Sequence, residues 1–285
     1  MVLEAVQLTS TDTLAPKDTA PAAGRARIEI GKVLVDRVDL ATAVGRIRGF
    51  LADGRAHQVT TVNLDFLRLA ERNPLFMETI NHAALAVADG MPLVWLSRLK
   101  SEPLAERVAG VELVEACCEL AAEAGAGVFL LGGAEGIADA AGRAIERRFP
   151  GLRVVGSYSP PLGDFSAQQD RAMVQLIRDA APAFLFVALG APRQDLWISQ
   201  HLDELNVSVA MGVGCVLDLH AGVRQRAPGW LRAAGMEWAF RLAQEPRRLW
   251  RRYVLNDMPM LARLLVSAAS ERKGGSAVPQ PAGGI

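Results

Sequence analysis

A carboxylate stands where an apolar strand stops: Asp89 follows the run "ALAVA" and precedes Gly90 and the apolar, helix-like "MPLVWLSRLK". Two roles fit an aspartate there. It caps the free N–H groups of the helix, or it presents a rigidly held charge where ligands bind. Four other apolar runs end in a polar or Gly-rich way, in "TTVNLD" (60–65), "GGAEG" (132–136), "GAPRQD" (190–195) and "GVGCVLD" (212–218). Glycines such as Gly132 and Gly133 let a backbone approach a ligand closely, and the free N–H groups of a following helix attract phosphate. A nucleotide or another phosphorylated ligand suits such loops. None completes G-x-G-x-x-G and no GxxxxGK[ST] loop occurs, so each alone also reads as a plain strand-to-helix turn.

Charge neutralisation for such a ligand has few sources. His57, His82, His201 and His220 show no H-x-x-x-H spacing, and no D-x-D clamp for a metal-chelated nucleotide sugar is found. No metal site or cofactor is expected, and arginines and helix dipoles must neutralise a diphosphate. Arginine is concentrated from residue 224 onward, alternating at helical spacing with Trp230, Trp238, Phe240, Trp250 and Tyr253. Arg241, Arg247, Arg248, Arg251 and Arg252 could face anionic headgroups or a diphosphate, with the apolar groups on another face. The alternative is a packed helical subdomain with a solvated basic face.

These residues need a scaffold, and its rhythm is legible. Strand-like runs at 57–62, 84–88, 127–131, 152–157, 183–188 and 207–212 are mostly separated by stretches long enough for a helix. That alternation predicts an α/β fold, a Rossmann-like, mostly parallel sheet with helices on both faces, whose ligands bind beyond the carboxyl ends of the strands. Ahead of it, "RIEIGKVLVDRV" predicts two short strands around Gly31, and "DLATAVGRIRGFLADG" a helix from Asp39 to Gly54. The expected organisation is a tail over 1–24, an α/β core over 25–224, a basic amphipathic helical appendage over 225–271 and a second tail over 272–285, both tails disordered by composition. Because the sheet is complete by residue 212, the core is expected to fold without the residues after about 225.

Composition narrows the class. A chain of 285 residues that is 51% hydrophobic can bury a large core, and 31 basic against 31 acidic residues leave no global field to recruit nucleic acid. Cys117, Cys118 and Cys215 are too few and wrongly spaced for a disulfide framework or metal site, and read as small hydrophobes in a reducing compartment. The start lacks the regions of a signal peptide, and no apolar run reaches the roughly 18 residues of a membrane span. A cytoplasmic protein, peripheral to the inner face of the membrane, is expected.

Eight segments, in order "TTVNLDFL", "VADGMPLVW", "ERVAGVELV", "LLGGAEG", "GAPRQDLWI", "GVGCVLDLHAG", "RAPGWLRAAGMEWAFRL" and "EPRRLWRRY", together resemble the WecG/TagA/CpsF glycosyltransferases over roughly residues 27 to 265. The resemblance implies an inverting, metal-independent transfer of a sugar from a UDP-sugar to a polyprenyl-diphosphate-linked acceptor, in cell-surface polysaccharide synthesis. By motif position it implies that Asp89 is the general base and that Thr61, Asn63, Arg107 and Gln194 line the donor pocket. It further implies that Asp218 lies near the nucleoside and that Arg241, Arg248 and Arg251 complete the site. An inverting transfer needs a base to take the acceptor hydroxyl's proton, and burial would raise a carboxylate's pKa toward that task. N-acetylmannosamine, glucose, another amino sugar or a uronic acid all stay open as donor sugar, and homo-oligomerisation is also open. The rival classes are a nucleotide-binding oxidoreductase, for which the complete fingerprint is lacking, and a non-catalytic membrane adaptor, which has no need of polar groups at five strand ends.

Overall fold

The computed structural model describes residues 26–100, 102–161 and 163–274, with the side chains of 233, 248 and 268–274 excepted. The expected N-terminal tail and residues 275–285 lie outside the described residues. Two short strands, β1 (Arg27–Ile30) and β2 (Val33–Asp36), pair antiparallel around Gly31. Asp39 then accepts from Thr42 N–H at 2.7 Å and starts a helix over Leu40–Ala52. An aspartate cap satisfies one of the N–H groups that a helix start leaves unpaired.

Six strands follow: β3 (His57–Val62), β4 (Leu85–Ala88), β5 (Gly127–Gly132), β6 (Arg153–Tyr158), β7 (Phe184–Ala188) and β8 (Val209–Gly212). They form one parallel sheet in the order β4-β3-β8-β7-β5-β6. Each lies within two residues of its sequence-predicted run. Strands covered on both faces bury both sets of side chains, which is why "FLFVA" reads as a continuous apolar run rather than an alternating one.

One sheet face carries Val59, Val87, Leu130, Phe186 and Met211 and packs on the helices Leu40–Ala52, Gly110–Ala124 and Ile137–Arg148. The opposite face is covered in two parts. Val62, Ala86 and Ala88 pack with the helices Leu64–Arg72, Pro74–His82 and Met91–Ser97, while Leu131, Val187 and Ala210 pack with Ala167–Ala180 and Arg193–His201. The chain leaves β3 toward one face and leaves β8, its neighbour, toward the other. Such a divergence opens a crevice at the strand ends, where ligands of α/β sheets bind.

The residues after 225 form the short helices Gly229–Ala233, Glu237–Gln244 and Pro246–Trp250, a π-helical stretch Arg251–Asp257 and a last helix Met258–Gly274. This segment is anchored more deeply than a detachable appendage would be. Met260 is buried in the same cluster as Phe66, Leu67 and Leu93, and Leu249 is buried as well. Arg252 Nη2 lies 3.2 Å from Asp65 Oδ2, so the π-helical stretch is also tied to the helix after β3 by charge. Met260 and Leu249 thus cover apolar core that removal of the segment would expose. The last helix includes 272–274, where the second tail was expected to begin.

Candidate active site

Asp89 follows β4 directly, its N–H donating to Val62 O at 2.7 Å, while Ala88 O accepts from Val108 N–H at 2.9 Å. These bonds hold the strand end between β3 and the segment that leads to Gly110. Asp89 does not cap the helix Met91–Ser97: the cap position is Gly90, at φ +147°, with no side-chain hydrogen bond. That backbone conformation is one only glycine adopts readily, and it turns the chain away so that the carboxylate faces elsewhere.

It faces Thr61 and Gly110. A Cβ on Gly110 would lie 3.5 Å from Thr61 Cγ2 and 3.6 Å from Asp89 Oδ2, so three elements converge on one point. Gly110 opens the helix Gly110–Ala124, and its N–H donates to the Asp89 carboxylate. Burial nevertheless dominates and raises the pKa of Asp89 to about 6, with Glu237 adding to the rise and Arg241 and Arg107 opposing it. The carboxylate is therefore ionised at neutral pH yet basic enough to accept a proton.

Arg107 is the best-defined cation of the site. Its Nη1 is 3.0 Å from Glu237 Oε2 and its Nη2 3.7 Å from Glu112 Oε1. Glu112 also binds Arg226 at 2.6 Å and Arg232 at 3.2 Å, so one carboxylate gathers guanidiniums from the core and the terminal segment. Arg241 contacts Cys215 Sγ in the loop after β8 and is the second arginine whose charge acts on Asp89. Cys117 and Cys118 are buried as small hydrophobes, whereas Cys215 is half-buried at the site's edge. Arg251 begins the π-helical stretch and is exposed; Arg248 lies in Pro246–Trp250, with its side chain outside the described residues.

Gln194 is buried and acts on the backbone: its Oε1 accepts from Gly214 N–H at 3.1 Å, fixing the loop after β8. A Cβ on Gly212 would meet Gln194 Nε2 at 2.5 Å, so glycine is required for this packing. Thr61 Oγ1 donates to Gly212 O at 3.4 Å, joining the ends of β3 and β8. Asn63 caps the helix Leu64–Arg72, its Oδ1 accepting from Asp65 N–H at 3.1 Å and Phe66 N–H at 3.3 Å. Gly132 and Gly133 both have positive φ at the end of β5, and Gly133 N–H donates to Ala188 O at 3.1 Å. Asp218 pairs with Arg224 at 3.1 Å, and Arg224 reaches Glu245 at 2.6 Å. Among the described residues no group of three or more His, Cys, Asp and Glu side chains is arranged to hold a metal ion, and no helix is long and apolar enough to cross a membrane.

The family described as glycosyl transferase WecG/TagA/CpsF matches residues 28–274. The chain belongs to this family. It is a glycosyltransferase, which sets aside the oxidoreductase and adaptor readings. Among its relatives are proteins of Staphylococcus aureus strains MW2, COL and N315, each named N-acetylglucosaminyldiphosphoundecaprenol N-acetyl-beta-D-mannosaminyltransferase. Each is 29% identical to this chain over 250 residues, covering 87% of this chain and 95% of its own.

Four residues of this candidate site escaped sequence reasoning. Gly110, Glu112 and Glu237 lie inside quoted motifs, yet nothing local marks them, because Arg107 and Glu237 meet only through the fold. Asp195, in "GAPRQD", is fully buried beside Gln194, and burial raises its pKa to about 7, with the Gln194 amide offsetting part of the rise. A second acid in a strand-end motif was the available signal.

Proposed function

We propose that this glycosyltransferase moves a sugar, N-acetylmannosamine or a related hexose, from a UDP-sugar to a polyprenyl-diphosphate-linked saccharide with inversion and without a resident metal. The observation that carries the reading is Asp89 itself: a half-buried carboxylate of raised pKa at a strand end, faced by Thr61 and Gly110 and acted on by Arg107 and Arg241. In a single displacement, the acceptor hydroxyl attacks the anomeric carbon, its proton passes to Asp89, and UDP leaves from the opposite side. Departing negative charge needs preorganised donors, and Arg107 and Arg241, whose charges already act on Asp89, are disposed to supply them. Arg248 and Arg251, in the same terminal segment, would add to that charge by motif position. Gln194 and Asn63 then support the pocket through the backbone they fix, Thr61 lies beside the base, and Asp218 sits toward the nucleoside side.

The names of the staphylococcal relatives support a lipid-diphosphate acceptor and an N-acetylhexosamine donor. For membrane access, the terminal segment exposes Trp230, Trp238 and Trp250 at 71%, 47% and 51%, with Leu255 and Met258 nearby in sequence, amid its arginines. Interfacial tryptophans and arginines favour an anionic bilayer surface, so we place the working enzyme peripherally on the inner leaflet. The direct test is a panel of UDP-sugars offered with polyprenyl-diphosphate N-acetylglucosamine, scored by product mass. Gain of one sugar residue on the lipid supports the reading. Absence of product with every donor, in a preparation that binds UDP, refutes it.

A further inference from the structure

The terminal segment that supplies Arg241 also sends a carboxylate into the site. Glu237 lies in the first turn of the helix Glu237–Gln244, and its Oε2 sits 3.0 Å from Arg107 Nη1. The two side chains are largely buried, at 21% and 16% exposure, so this is no loose surface pair. Across the guanidinium, Glu112 is more distant, at 3.7 Å, and is also engaged by Arg226 and Arg232. Glu237 is thus the close anionic partner of an arginine assigned to a diphosphate.

A guanidinium fork fits a carboxylate and a phosphate equally well in geometry, and it cannot serve both with the same N–H groups. We propose that Glu237 is a placeholder for the donor's diphosphate: it holds Arg107 in its working position until the donor binds, and then yields the guanidinium. This rests on the reading that Arg107 binds the diphosphate. The exchange keeps the arginine preorganised and out of solvent, and it sets donor affinity through competition. It also changes the surroundings of the base, because the charges that bear on Asp89 are Arg241, Arg107 and Glu237, together with the Gly110 N–H.

The test is calorimetry of UDP with the full chain and a double-mutant cycle. Arg107→Ala should weaken UDP by tenfold or more, whereas Glu237→Gln should tighten it by roughly three- to tenfold, as expected for releasing one partly buried ion pair. In the Arg107→Ala background the gain should disappear, since there is no longer an arginine to release. Glu237→Asp keeps the charge but withdraws it by one methylene, so it should tighten UDP less. The acid limb of the kcat/KM profile should move to lower pH in Glu237→Gln and stay near the parental position in Glu237→Asp. A role confined to holding the fold would weaken UDP and leave that limb in place. If Arg107→Ala weakens UDP while neither Glu237 variant tightens it, the exchange is overturned and the donor reading stands. If Arg107→Ala leaves UDP affinity unchanged, the donor reading falls and takes this inference with it.

Discussion

Asp89→Asn removes one ionisable oxygen and little else. The substitution keeps the side chain's shape, and the amide oxygen can still accept the Gly110 N–H bond that the carboxylate receives. What vanishes is proton affinity: the parent group titrates at about 6, so at neutral pH it is mostly ionised and ready to accept a proton. Loss of a general base lowers turnover by about a hundred- to ten-thousand-fold, equivalent to about 3 to 5 kcal/mol of transition-state stabilisation. UDP affinity should hold or improve, because Arg107 and Arg241 lose an anionic neighbour that competes for them. Parent kcat/KM should fall tenfold per pH unit below about 6, as protonation removes the base, and the residual activity of the variant should lack that limb. Both follow from initial rates with a lipid-diphosphate acceptor at saturating donor, with UDP calorimetry alongside. Turnover within tenfold of the parent, or an unchanged acid limb, would refute the assignment.

Other positions separate support from chemistry. Asp195 has a folded pKa of about 7 against an ordinary 3.8, so its neutral form is the one the fold favours: stability is complete below about 4 and is lost as pH rises to about 7. Asp195→Asn should therefore be more stable than the parent at pH 8 by up to the order of 4 kcal/mol and indistinguishable below pH 4, as read by urea denaturation at both pH values. Asn63→Ala loses the cap on Leu64–Arg72 and should lower stability by about 1 kcal/mol, so any donor defect must be read beside a melting curve. Gly132→Ala would drive a Cβ to 2.5 Å from Ala188 O at φ +111°, and should destabilise by about 2 kcal/mol or more; an unchanged urea midpoint would contradict the close approach of β5 and β7.

The strands were legible because parallel strands buried on both faces announce themselves as apolar runs, as Phe184–Ala188 does. Asp39 likewise marked its helix by the chemistry of the cap. Strand order was not, and the site depends on it. β8 lies beside β3 although Thr61 and Gly212 are 151 positions apart, and no local pattern encodes that neighbourhood. Asp89 could be read as a cap because the sequence does not reveal that Gly90 takes φ +147° and redirects the chain. Asn63, assigned to the donor pocket by motif position, has its oxygen committed to a helix start, a role the run "NLDF" also permits. The terminal segment's helical spacing announced an apolar face without saying what covers it. Part of that face, Leu249 and Met260, is packed inside, and Trp230 and Trp250 are outside.

The central claim is a single displacement with Asp89 as base, and stereochemistry tests it most directly. The lipid-linked product made from an α-linked UDP-sugar should be isolated and its new anomeric centre read by proton NMR. A β-linked product, formed by the parent and only at trace rate by Asp89→Asn, is the predicted result. An α-linked product would mean retention, which one attack from the face opposite UDP cannot give, and would contradict the account.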